Sequence, residues 1–359
     1  MKIILQKSNY SAMKKKSFKL VVILILIMVG SCEEPETLVT NIIHADGSIA
    51  RRIEMRDKKN NFKLSAIQVP VDSTWTIKDS LVIGKKNDTI WIKTAEKKFR
   101  SVDEINKDYL SEKGSNRELH RNASFSSRFR WFNTVFRFSE KIDKSLLYGY
   151  PLKDFLAKEE IEYYFLPESI SSEKLAGPDS TKYKSLNDSI EKKTERCTWS
   201  SLVSEWIEEF TKLTAGKAGM ELSRTSLKAR EKEVVDTIMR KLSESDSSLV
   251  SHFLGDSNYK KFKPEEDTSS AIVERRFNGN LNFSKYSVKF IMPGKVTGTN
   301  GFINKNGELL WPVKSDFFLT QPYEMWAESK IPNYWAWIVS GLFLIFVVTG
   351  VIIRLIKKG

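Results

Sequence analysis

Cysteine is nearly missing: Cys32 and Cys197 are the only two in 359 residues. A chain so poor in thiols has no disulfide framework, and if Cys32 is modified Cys197 has no partner at all, so the fold has to rest on its apolar core. Cys197 lies in a strongly helical stretch and reads as a buried, inert thiol, with a reactive one as the alternative. Histidine is almost as scarce. His44, His120 and His252 stand far apart, and none has a second ligand three or four residues away. Also missing are a G-x-S-x-G elbow, H-E-x-x-H, a Walker loop, C-x-x-C and a D-x-D-x-D-G calcium loop. Gly294, Gly298 and Gly301 lie between a strand and turns instead of opening a helix, which makes no phosphate cradle. Glu159 and Glu160, like Glu265, Glu266 and Asp267, sit in polar runs and read as solvated faces. The expectation is a non-enzyme with no catalytic, cofactor-binding or metal-ligating residues. A hydrolase with a dispersed site would need the histidines to meet carboxylates in a pocket.

A concentrated basic surface is also lacking, although the formal charge is +13. Lys2, Lys7, Lys14, Lys15, Lys16 and Lys19 precede Cys32, and Arg354, Lys357 and Lys358 close the chain. Between them stand 49 basic and 45 acidic residues. Counterion release has no strong basic face to act through, so nucleic acid is not an expected partner.

What is present lies first at the two ends. Lys14 to Lys16, the apolar run Leu20 to Val29, and Gly30-Ser31 before Cys32 follow the order of an export signal over residues 1–31, with Met13 as a more typical start than Met1. Val29-Gly30-Ser31-Cys32 resembles the lipobox of bacterial lipoproteins, which implies lipidation of Cys32, palmitate included, and a tether over 32–37. An ordinary cleaved signal with a chance cysteine is the alternative. At the other end, residues 333–354 read as a transmembrane helix, because Tyr334 to Ile353 is uncharged and about 30 Å long as a helix. Tyr334, Trp335 and Trp337 suit the headgroup layer, and Arg354, Lys357 and Lys358 mark a cytoplasmic tail at 355–359. A buried core helix is the competing reading. The expected location is an inner membrane, with the domain on its extracytoplasmic side. N-x-S/T sequons at Asn87, Asn122, Asn187 and Asn282 leave a eukaryotic type I protein as a minor alternative.

Between the ends, periodicity changes twice. Residues 38–140 read as β-rich: a hairpin over Leu38 to Met55 around Ala45-Asp46-Gly47, strands at Phe62 to Pro70 and Asp88 to Thr94, and a short helix from Ser101 to Leu110 opened by the Ser101/Glu104 capping pattern. Gly114 to Asn122 reads as a polar connection. Phe125 to Glu140 reads as one core strand with aromatics on both faces and a bulge near Trp131 or Phe132, its arginines at the rim; a single-strand nucleic-acid platform is the weaker alternative. Residues 141–265 read as a helical insertion, with an early helix over Leu152 to Phe165, a long helix from Ser180 to Gly216, a second over Ser223 to Leu242, a turn at Ser243 to Ser248 and a short helix at Leu249 to Leu254. Trp199, Leu202, Val203, Trp206, Ile207, Phe210 and Leu213 share one stripe. Such a stripe is ordinarily core, but Trp199, Trp206 and Phe210 keep an apolar ligand or partner surface in view. Residues 266–330 return to period two, with strands around Tyr286 to Met292, Leu309 to Val313 and Tyr323 to Ala327 and Asn-Gly turns at 300–301 and 306–307. The fold class is α+β: one antiparallel sheet built from N- and C-terminal strands, with the helical insertion over one face.

Met292-Pro293-Gly294-Lys295-Val296, Thr299-Asn300-Gly301, Gly307 to Trp311 and Ala327-Glu328-Ser329, followed by the terminal span, resemble the LppM-like bacterial envelope lipoproteins. The resemblance covers the two ends and roughly residues 292–335, and not the helical region. It implies a membrane-tethered domain with a cavity for lipid and brings no catalytic residues. Together these readings give a non-enzymatic envelope lipoprotein that binds membrane lipid or an apolar ligand at the membrane surface. The alternative is a scaffold or assembly factor that binds another envelope protein through its helical face.

Overall fold

The computed structural model describes residues 36–60, 62, 69–83, 89–111, 120–217, 223–240, 249–281, 285–304 and 306–357. The expected export signal, Cys32, the expected turn at Ser243 to Ser248, most of the strand expected at Phe62 to Pro70, and Lys358 lie outside them.

Alternating burial begins at once. In β1 (Glu36–Ile43) Val39, Asn41 and Ile43 face inward, and in β2 (Ile49–Asp57) so do Ile49, Arg51, Ile53 and Met55. The turn joining them is the expected Asp-Gly turn. Asp46 Oδ1 accepts hydrogen bonds from Ser48 N and Oγ at 3.0 and 2.7 Å, and Gly47 takes φ +87°, a region that costs glycine little. A strand not anticipated from sequence, β3 (Thr76–Ile83), is exposed throughout, which is why no alternation marks it. It pairs with β4 (Thr89–Phe99), and β4 pairs with β2. Helix α1 (Val102–Leu110) starts where the capping pattern places it: Ser101 Oγ accepts from Asp103 N at 3.2 Å, while Glu104 reaches past Ser101 to Arg100 N at 2.8 Å.

Phe125 to Glu140 is not one strand. It folds back as a hairpin of β5 (Arg121–Arg130) and β6 (Asn133–Ile142), with Trp131-Phe132 as the turn. The two aromatic sets that looked like two faces of one strand belong largely to two strands.

The helical stretch follows. A 3-10 turn (Leu152–Asp154), α2 (Lys158–Tyr164) and α3 (Glu168–Ala176) lead to the 35-residue α4 (Ser180–Thr214), then α5 (Arg224–Arg240), α6 (Leu249–Leu254), α7 (Asp256–Lys261) and α8 (Lys263–Leu281). Helix α8 carries the helical stretch past residue 265, where a return to strands was expected; its acidic and serine-rich run hides a narrow stripe through Val273 and Phe277. Buried polar side chains stitch α4 to the strand exit. Glu205 accepts from Leu147 N and Tyr148 N at 3.2 and 2.6 Å and pairs with Arg276 of α8, and Ser201 Oγ accepts from Tyr150 N at 3.0 Å.

Strands β7 (Tyr286–Ile291), β8 (Lys295–Thr299), β9 (Phe302–Ile303), β10 (Leu309–Val313) and β11 (Tyr323–Pro332) complete the sheets. Strands from both ends of the chain do combine, but into two sheets instead of one. The larger has the order β3-β4-β2-β1-β7-β10-β9 and the smaller β5-β6-β11-β8. The larger is mixed, because β1 runs parallel to β7 with Val39 opposite Val288. Their inner faces form one core, in which Phe138 meets Phe290 edge-on at 4.9 Å and Phe290 meets Trp311 at 4.4 Å. The chain crosses between sheets at Asn300-Gly301. There a Cβ on Gly301 would lie 2.4 Å from the Trp311 ring, so only glycine fits.

One charge pair sits inside that core. Arg51, 2% exposed, pairs through Nη2 with Glu140 across the two sheets, while its Nε donates to Asn41 Oδ1 at 2.6 Å and its Nη1 to Tyr109 OH at 2.8 Å. Burial opposes the guanidinium charge, but Glu140 and Tyr109 outweigh it and keep Arg51 protonated.

Candidate membrane-interface site

The last strand runs into the last helix with a single residue between them. Strand β11 ends at Pro332, and α9 (Tyr334–Ile356) begins after Asn333. Proline ends the strand because it has no N–H to give, and an uncharged run of β-branched and aromatic residues then continues as helix. Helix α9 has a mean hydropathy of 2.6 over its most apolar window, and 6% of that window is buried within the chain. It is long and apolar enough to cross a membrane. The bareness of its sides sets it apart from a core helix of similar length, which would be mostly buried.

Asn333 does not cap this helix with its side chain. Its Nδ2 donates instead to Arg130 O at 2.7 Å and to Trp131 O at 3.3 Å, its Oδ1 accepts from Thr134 Oγ1 at 3.0 Å, and its N–H donates to Phe132 O at 2.9 Å. Every one of these partners lies at the β5–β6 turn, so the hairpin tip is fastened to the foot of the helix.

Aromatic contacts extend the junction downward. Trp335 stacks on Phe129 at 6.3 Å and meets Trp131 edge-on at 5.4 Å, and Trp337 lies 4.4 Å from Phe132. Trp337 Nε1 donates to Phe132 O at 3.3 Å and Trp131 Nε1 to Ser340 Oγ at 2.9 Å. Ser340 is six residues beyond Tyr334, about 9 Å along a helix. The hairpin tip therefore lies beside the apolar part of α9 as well as its start. Phe129, Trp131 and Phe132 nonetheless remain 57%, 48% and 40% exposed. That much bare aromatic surface is costly in water and suits the headgroup boundary of a bilayer. Between Trp131 and the helix runs an open groove of about 430 Å³, lined by Trp131, Val339, Ser340, Phe343 and Leu344.

The structure distributes the sequence-derived site residues unevenly. Trp335 and Trp337 enter the junction; Tyr334 stands exposed at its edge. Arg354 lies in the last turn of α9 and Lys357 caps it, both exposed. Trp199, Trp206 and Phe210 are not a surface. They are 7%, 7% and 0% exposed and form the helical core with Ile207, Leu227, Phe253 and Val273, Trp206 stacking on Phe210 at 4.9 Å. The three-and-four spacing that put them on one stripe is the spacing of an ordinary buried face. Cys197, 1% exposed, is buried as expected, and burial pushes its thiol up to about 11. His44 and His120 are exposed at strand ends. Among the described residues no group of three or more His, Cys, Asp or Glu could hold a metal ion.

Sequence reasoning missed Asn333, Ser340 and the hairpin tip. The available signal was the adjacent pair Trp131-Phe132, which makes better sense as a two-residue turn than as a bulge inside a core strand. Comparison with protein-family models, with curated proteins and with solved structures finds no match for the chain.

Proposed function

We propose that the protein is a non-enzymatic, membrane-anchored component of a bacterial envelope that binds an apolar, lipid-like ligand at the membrane surface. In this reading the chain is exported, lipidated at Cys32 and inserted through Tyr334–Ile356, with its tail in the cytoplasm and its α+β domain outside the inner membrane. The LppM-like resemblance of residues 292–335 agrees with it. The observation that carries the proposal is the junction itself: an aromatic hairpin tip held against the apolar helix by Asn333, leaving a groove open toward the place where acyl chains would lie. The ligand site moves accordingly, from the stripe of Trp199, Trp206 and Phe210 to Trp131, Phe343 and Leu344.

Photocrosslinking tests it. The full chain is reconstituted with a phospholipid bearing a diazirine in its acyl chain, illuminated, and digested for mass spectrometry. Adducts concentrated on Trp131, Phe343 and Leu344 are expected, and Trp131→Ala should reduce those on the helix. Adducts spread evenly round Tyr334–Ile356 would overturn the groove as a binding site.

A further inference from the structure

The smaller sheet carries an unbalanced row of cations at the end that meets α9. Register pairs Arg128 with Val135, Val135 with Lys330, and Lys330 with Lys295, so these residues lie across one level of the sheet. Directly paired residues of antiparallel strands point to the same face, which puts Arg128, Lys330 and Lys295 together on the face away from the core. Arg130, two residues on from Arg128, shares that face at the level of Pro332. All four side chains are exposed, and none has an ion-pair partner among the described residues.

Charge becomes balanced one same-face level further from the helix. There Glu328 pairs in register with Arg137, and Arg137 is held over the Trp326 ring at 4.4 Å. The excess is confined to the levels nearest α9. Lys330 is three residues from Asn333, at most roughly 10 Å of strand. Four cations that repel one another, with Glu328 already matched in register by Arg137, gain most from an anion at this height. The aromatic tip beneath them fixes where the headgroup layer would begin.

We propose that Arg128, Arg130, Lys295 and Lys330 form a binding face for the phosphates of anionic phospholipid headgroups in the leaflet that receives the start of α9. The proposal rests on the reading of α9 as a membrane anchor. It adds a lipid-class preference to that anchor: each cation near an anionic surface strengthens association by about fivefold at low salt, and the gain falls as salt screens it.

Lysine acetylation of the full chain tests this in vesicles of phosphatidylcholine alone and of phosphatidylcholine with phosphatidylglycerol, read by peptide mass spectrometry. Lys295 and Lys330 should label about fivefold more slowly with phosphatidylglycerol present, and Lys184, exposed on α4, equally in both. The protection should weaken at high salt and in R128Q/R130Q. Equal labelling of Lys295 and Lys330 in an integral chain overturns the headgroup face and leaves the anchor standing. Release of the chain by alkaline carbonate overturns the anchor itself. Protection by inorganic phosphate in neutral micelles, to the same extent as by phosphatidylglycerol, overturns the lipid as the source of the phosphate.

Discussion

Glu140→Ala should be among the most damaging single substitutions in the sandwich, and its cost follows from what surrounds Arg51. The guanidinium is 2% exposed and, among the described residues, has one anionic partner, Glu140, itself 6% exposed on the opposite sheet. Asn41 and Tyr109 are neutral and stay after the substitution, so the variant keeps two hydrogen bonds and loses the charge-assisted one. Tyr109 OH also loses an acceptor, since it donates to Glu140 Oε1 at 3.3 Å. Leaving a buried charge without its counter-ion costs about 3–5 kcal/mol, more than the pair itself contributes, because desolvation has already been incurred by both ions.

Hydrogen exchange read peptide by peptide, on the full chain in detergent, isolates the effect. Peptides from β1, β2 and β6 should lose about 3–5 kcal/mol of opening free energy, while peptides from α5 change little. The double variant Arg51→Met/Glu140→Leu removes both charges and should return close to the wild-type protection. If Glu140→Ala alone stays within about 1 kcal/mol of the wild type, the reasoning is refuted: Arg51 would then be satisfied without Glu140.

Three further outcomes are expected. Gly301→Ala should cost about 1–3 kcal/mol by thermal unfolding, because the new Cβ lies 2.4 Å from the Trp311 ring where the chain changes sheets, whereas Gly307→Asn, in an open turn at φ +75°, should be tolerated. Cys197, with its thiol raised to about 11 by burial, should resist maleimide at pH 8 in the native chain and react on denaturation; rapid native labelling would contradict its placement. The helical part should lose stability in acid. Hydrogen bonds from Arg224, Lys193 and Lys217 hold Glu208, Glu160 and Glu265 below the ordinary 4.5, so their pairing is present above that pH and lost as pH falls through the lowered native values. Far-UV circular dichroism should show helix lost as the pH falls below 4.5.

What could be read from sequence was whatever a local pattern encodes. The Asp46-Gly47 hairpin, the Ser101 cap, the long helix from Ser180 and the apolar terminal helix all carry their determinants within a few residues or on one stripe. Pairing between distant strands is not local. Nothing in β1 or β7 announces that they run parallel side by side, and alternation alone cannot assign β6 and β10 to different sheets. The edge strand β3 has no buried face to produce a pattern. The site failed for a related reason. Trp199, Trp206 and Phe210 stand on the helix with the strongest stripe, and a strong stripe is one that a core has already used. Trp131 and Phe132 had no stripe, because a turn exposes them.

The junction also bears on where the apolar terminal helix joins the chain. Strand β11 is an inner strand of the smaller sheet, paired with β6 along its length and with β8 on its other side. A helix attached to such a strand through one residue transmits its position into the middle of the sheet. At an edge strand the same attachment would peel under load. The hairpin partner of β6 then folds its tip over the join, where Asn333 takes three contacts with the Arg130 and Trp131 carbonyls and Thr134. Strand, turn and helix are thus tied together by hydrogen bonds. The aromatic tip, the groove and the cation row of Arg128, Lys330 and Lys295 are consequently held at fixed heights relative to α9, which is what a surface needs if it is to select lipids by where their headgroups lie.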